Sequence, residues 1–273
     1  MIRDITLGQY YNSNSVLHRL DPRVKLFGTI IFLISLFSAQ SVVGYVIATF
    51  ALISLIVMSK VPFKFITKGL KAIVIILLLS VCINLFITPG QIVFSYKFVK
   101  ITKEGIIISV KITIRLIYLI IGSSLLTLTT TPNELTDGME KAFGCLKKIH
   151  FPVHEMAMMM SIALRFIPIL MEETDKIIKA QTARGADFES GSNIKKAKNM
   201  LPILVPLFIS AFRRANDLAI AMDARCYRGG AGRTKMKPLK YSKADIVSYV
   251  ICVFYLAAVI STNFINILHW SSI

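Results

Sequence analysis

The sequence predicts an all-α integral membrane protein, with about five transmembrane helices and a cytoplasmic section of one short and two long crossing helices. Three observations carry that expectation. Hydrophobic residues make up 55% of the 273-residue chain and charged residues only 17%, and the mean hydropathy is +0.65, more apolar than a soluble core of this size requires. Uninterrupted apolar runs of membrane length recur along the chain. The net charge is nevertheless +17, which in a membrane protein points first to cytoplasmic loops under the positive-inside bias and only second to nucleic acid.

In chain order, the runs fall at about 24–40, 42–59, 71–88, 105–129 and 245–265, each near the roughly 20 residues that cross a hydrocarbon core of about 30 Å. Before the first run the chain is polar and lacks a small-residue cleavage pattern, so no cleaved signal peptide is expected. Arg3, Arg19, Arg23 and Lys25 put the N-terminus inside, and Lys60, Lys64, Lys68 and Lys71 put the loop after the second run on the same side. Residues 89–104 then fall outside. There Ile92, Phe94, Tyr96 and Phe98 alternate, which predicts a short interfacial strand or hairpin. Lys111 and Arg115, four apart in the fourth run, share a helix face expected to turn to protein or water rather than lipid, with snorkelling to the outer interface the expected account of Lys111.

Two further apolar stretches, about 154–171 and 200–212, resemble spans. The first carries Glu155 and a central Arg165, and the second is short of membrane length. Exporting the linker with Lys195, Lys196 and Lys198 would also oppose the charge bias. The chain is therefore read as membrane helices over 1–130, a cytoplasmic section over 131–244 and a C-terminal membrane helix over 245–273.

Within that section, Pro132 near a polar start and Leu135, Met139, Ala142, Phe143 and Leu146 at helical spacing predict a helix over 133–149. A longer helix follows over 154–184, apolar in its first half and charged in its second, with Pro168 expected to bend it. The same design returns with Pro202 and Pro206 in an apolar half, followed by Arg213, Arg214, Asn216 and Asp217. Each long helix ends in a small residue and an arginine: Ala183-Arg184-Gly185 and Ala224-Arg225-Cys226, with the arginines 41 residues apart. A cation in the last turn is stabilised by the helix dipole in any protein. The duplication suggests more, a pair of prongs for two equivalent sockets, where a planar guanidinium suits a carboxylate-lined groove.

Enzyme chemistry finds no purchase. There is no phosphate-cradling GxxxxGK[ST] loop, no HExxH and no GxSxG. His150 and His154 are separated by Pro152, and Cys82, Cys145, Cys226 and Cys252 have no metal or disulfide spacing, so neither metal nor cofactor is expected. Adjacent Glu172 and Glu173 splay apart as solvated surface. A self-sufficient secondary transporter or channel is the rival reading, but its usual repeat among the spans is absent and the first three runs hold no acid. The dispersed basic residues lack an aromatic stacking platform for nucleic acid.

Several segments together resemble the CbiQ family, the transmembrane T components of energy-coupling factor transporters, over nearly the whole chain. They are Leu20-Asp21-Pro22-Arg23-Val24-Lys25, Thr129-Thr130-Thr131-Pro132 with Leu135, Arg165-Phe166-Ile167-Pro168, Ala180-Gln181-Thr182-Ala183-Arg184-Gly185 and Ala221-Met222-Asp223-Ala224-Arg225-Cys226-Tyr227-Arg228-Gly229. The resemblance implies a non-enzymatic subunit of a bacterial cell-membrane importer for a vitamin or metal ion, with the N-terminus and the coupling section cytoplasmic. It implies that Ala183, Arg184, Gly185 and Ala224, Arg225, Cys226 dock into two ABC ATPase subunits of the EcfA and EcfA′ type. It also implies a separate substrate-capturing membrane protein, the S component, seated on the upper halves of the long helices. Met156, Met159, Met160, Ala163, Ile167, Leu204, Leu207 and Phe208 are the expected platform, its methionines adaptable to more than one partner. Cys226 departs from the family glycine. A left-handed cap is less comfortable at cysteine, so the second helix is expected to run on toward Gly229-Gly230.

Overall fold

The computed structural model describes residues 10–39, 41–71, 73–96, 99–149, 151–186, 188, 199–230, 236 and 238–270. Arg3, Phe98, His150 and the lysines of the 189–198 linker lie outside them. In chain order the elements are α1 (Val16–Arg19), α2 (Pro22–Ser38), α3 (Val42–Ser59), α4 (Phe63–Lys71), α5 (Val74–Ile87), β1 (Ile92–Tyr96), β2 (Val99–Thr102), α6 (Lys103–Thr129), α7 (Pro132–Ala142), α8 (Val153–Ala183), α9 (Leu201–Ala224) and α10 (Lys243–Trp270). The fold is that of an all-α membrane protein. By length and composition α3, α6, α8 and Lys243–Asn263 of α10 can each cross a bilayer, and α4 with α5, meeting at 57°, makes a fifth candidate.

The chain divides into two compact units, one of Glu140–Pro238 and one of Gly8–Met139 with Leu239–Ile273. In the larger unit Phe32, Leu36, Ala48, Leu52, Val61, Ile66, Ile121, Leu125 and Leu128 form the core. The expected loop bearing Lys60, Lys64 and Lys71 is mostly helix, because Ile66 and Leu70 fall one turn apart and pack on that core while Lys64 faces out. The expected hairpin is present, antiparallel, with Tyr96 opposite Val99. Arg115 donates to the Tyr45 hydroxyl at 3.2 Å and lies over the Phe37 ring at 5.7 Å, so a neighbouring helix and ring receive its charge within the unit.

Two of the segments that carry the family resemblance meet in this unit. Asp21 caps α2 by accepting from the Arg23 amide at 3.0 Å, and its own amide donates to Asp245 at 2.9 Å. Lys25 Nζ donates to the carbonyls of Thr129 and His18 at 2.9 and 3.0 Å, tying the start of α2 to the end of α6. Thr131 and Glu134 form a reciprocal capping box that starts α7. The predicted helix over 133–149 tightens to a 3-10 turn over Phe143–Ile149, where Gly144 weakens the α conformation.

Candidate docking site at two helix tips

The smaller unit is built on α8 and α9. α8 runs 31 residues, about 46 Å, and continues through Pro168. α9 carries Pro202 in its first turn, where its missing amide is harmless, and Pro206 inside. The facing stripes pack: Ile162, Phe166 and Leu170 of α8 line a shared cavity of about 280 Å³ with Ala211, Ala215, Leu218 and Met222 of α9.

Both helices end in the same hydrogen-bonded motif. In α8, Arg184 is the C-cap, Gly185 takes φ +87°, the Gly185 amide donates to the Thr182 carbonyl at 2.9 Å, and the Ala186 amide to that of Gln181 at 3.0 Å. In α9, Arg225 is the C-cap, Cys226 takes φ +53°, and the Cys226 and Tyr227 amides donate to Asp223 and Met222 at 2.9 and 3.1 Å. Each is a Schellman cap. The expected extension of the second helix toward Gly229-Gly230 does not occur; α9 stops at Ala224, and two carbonyl acceptors satisfied by the cap hold Cys226 in the left-handed region despite its Cβ. Ala183, Arg184, Gly185, Ala224, Arg225 and Cys226 are all exposed.

The contacts also fix the sense of the pair. Gly230, beyond the α9 tip, lies against the His154 ring in the first turn of α8, and Arg214 donates to Glu173 at 3.0 Å farther along. Moving back along α8 therefore means moving forward along α9, so the helices are antiparallel. Glu173 and Arg214 are themselves 41 residues apart, the spacing of the two arginines, so equivalent positions of the repeat meet at this contact. Each arginine stands 11 residues beyond that contact, about 16 Å along its helix, which separates the tips by on the order of 30 Å. Glu173 is thus a partner of Arg214 rather than free surface; the 41-residue interval was the signal that could have found the pair. Both side chains are partly exposed, so the ion pair orients the crossing more than it stabilises it.

The expected platform residues lie away from the packed stripe. Met156, Met159, Met160, Ala163 and Ile167 follow one exposed side of α8; Leu204 and Phe208 are exposed on α9 and Leu207 is half-buried. His154 donates from Nδ1 to Glu140 at 2.9 Å, a partner that sequence reading missed. Among the described residues no group of three or more potential metal ligands forms.

The CbiQ family model, described as cobalt transport protein, matches residues 13–236. The chain is 57% identical over 251 residues to the energy-coupling factor transporter transmembrane protein EcfT of Clostridium kluyveri, covering 91% of this chain and 93% of that one. It is 51% identical over 265 residues to the protein of the same name from Ruminiclostridium cellulolyticum, covering 97% and 99%, and 46% identical over 261 residues to that of Bacillus subtilis, covering 95% and 98%. With the two arginine-tipped helices in place, the match extends from just before α1 to beyond the second tip, and the chain belongs to the CbiQ family, among the transmembrane components of energy-coupling factor transporters.

Proposed function

We propose that this chain is the coupling subunit of an ABC importer in the cell membrane, with the N-terminus and the α8–α9 unit cytoplasmic. Two ABC ATPase subunits take the Arg184 and Arg225 tips into equivalent grooves. Closure of the ATPase pair on ATP brings the grooves together, and the tips, held in them, change the crossing of α8 and α9 as a rigid-body displacement. The apolar sides of the same helices carry a substrate-capturing membrane protein that brings a vitamin or metal ion. This chain hydrolyses no ATP.

The observation that supports this reading is the matched pair of tips: the same cap on each helix, exposed guanidinium-bearing ends and opposite directions. A two-fold ATPase pair presents two equivalent grooves to such an object. Arg184→Glu combined with Arg225→Glu is expected to abolish copurification with the ATPases, because each change sets like charge against a carboxylate-lined groove. Undiminished ATPase retention and uptake in that variant would falsify the reading. Sidedness has its own measurement. A membrane-impermeant maleimide should leave exposed Cys226 unlabelled in intact cells and modify it after permeabilisation; labelling from outside overturns the topology.

A further inference from the structure

Three residues from separate elements converge beside the second tip. Glu140, in the last turn of α7, accepts from His154 Nδ1 at 2.9 Å, and both side chains are largely buried, 10% and 16% exposed. A carboxylate only accepts, so Nδ1 carries a proton. The other ring nitrogen, Nε2, is buried with no hydrogen-bond partner among the described residues. Gly230 covers the ring so closely that a Cβ there would come within 2.5 Å of Cδ2 and 2.8 Å of Cγ, contacts that no side chain tolerates. Gly230 follows Arg225 by five residues, at most about 17 Å of chain, and the first of those residues is locked by the Schellman cap.

We propose that Glu140, His154 and Gly230 form a rigid knuckle that fixes the direction of the Arg225 tip and delivers its displacement to the first turn of α8. This rests on the docking reading above. A tip on a slack tail would swing in its groove without moving the other helix. Here the tail is pressed onto the root of the neighbouring helix by a ring that is itself held from behind by a carboxylate. Force entering at Arg225 therefore arrives at His154 as well as along α9. His154 and Gly230 are positioning residues on this view.

A Cβ on residue 230 would lie 3.2 Å from His154 Cβ, a small adjustment short of the roughly 3.5–4.5 Å that a disulfide spans. The test is the variant His154→Cys with Gly230→Cys, purified with its ATPases, oxidised, and assayed for MgATP hydrolysis before and after dithiothreitol. Peptide mass spectrometry identifies the bridge and tells it from one through Cys226. The expected result is a bridge and a hydrolysis rate within threefold of the reduced complex, since the knuckle stays closed through the cycle. Failure of the bridge to form, or a larger loss that dithiothreitol restores, overturns the proposal. Two further variants keep the question open to decision if the pair misfolds. Gly230→Ala, which forces the loop off the ring, should lower hydrolysis by the ATPase-bound complex about tenfold, and adding His154→Ala, which removes the ring itself, should not restore it; recovery in the double variant would mean a steric clash alone and overturn the knuckle. An unchanged rate in Gly230→Ala alone overturns the knuckle. If the unaltered chain retains no ATPase, the docking reading fails and takes the knuckle's role with it; retention with an insensitive knuckle sinks the knuckle alone.

Discussion

In the larger unit, apolar side chains turn inward on one another. Leu36, Ile66, Leu128 and Val259 are fully buried, and the Ser35 and Tyr255 hydroxyls pair at 2.7 Å. The α8–α9 unit is also rich in apolar residues but buries only Val153 and Ile203 among its described apolar side chains, leaving Met159, Leu204 and Phe208 more than half exposed. The first unit closes a core of its own, although Val42, Phe50, Ile75 and Phe254 on its outer sides are more than 70% exposed. The second holds its shape through backbone hydrogen bonds, caps and a single crossing, and leaves its apolar sides for something else to cover. On the proposed coupling role this is expected, since a part that moves against partners is drawn from the less self-sufficient end of a structure.

The comparison breaks most visibly at the exposed sides. Leu204→Asp with Phe208→Asp should cut copurification of the proposed membrane capture protein more than tenfold while ATPase retention persists, because both side chains are more than half exposed; loss of both partners alike would mean the face is internal packing. In the other unit the expected damage is to stability. Lys25→Met leaves the Thr129 and His18 carbonyls unpaired in a dry site and should destabilise by about 3 kcal/mol, given roughly 1.5–3 kcal/mol per hydrogen bond to a charged group. Its readout is the melting temperature in detergent, and an unchanged value would show that those carbonyls find other donors.

The smaller effects compare the two tips. Gly185→Ala should cost about 1 kcal/mol, since φ is +87° and nothing lies within 4 Å of the new methyl, so that only backbone strain acts. Cys226→Gly should act in the opposite sense, stabilising by less than about 1 kcal/mol, because glycine adopts the left-handed conformation without a Cβ penalty but gains chain entropy when unfolded. Thermal melts of the two variants side by side decide this, and equal signs would mean that the caps differ in a way their hydrogen bonds do not reveal.

Much of this architecture was legible in the residues. Helical spacing located both ends of α8 and the start of α9 to within a residue or so, and the alternation at Ile92–Tyr96 located the hairpin. The second cap was misread because local propensity argues against cysteine at positive φ, whereas the two cap hydrogen bonds outweigh that penalty. Glu173 was misread because adjacent acids on a helix carry no sign of which one meets a distant arginine. His154 was weighed against His150, its neighbour in sequence, when its partner is Glu140.

Composition, periodicity and the duplicated arginine ends determined the fold class, the element types and the family resemblance by themselves, because each is read along the chain without knowing which segments meet. Only the tertiary structure decided that α8 and α9 run antiparallel, that their repeat meets itself at Glu173 and Arg214, and that Gly230 closes on His154. Those facts depend on which side chains approach across tens of residues of intervening chain, and such approaches are selected by packing and hydrogen bonding in three dimensions rather than by any local preference.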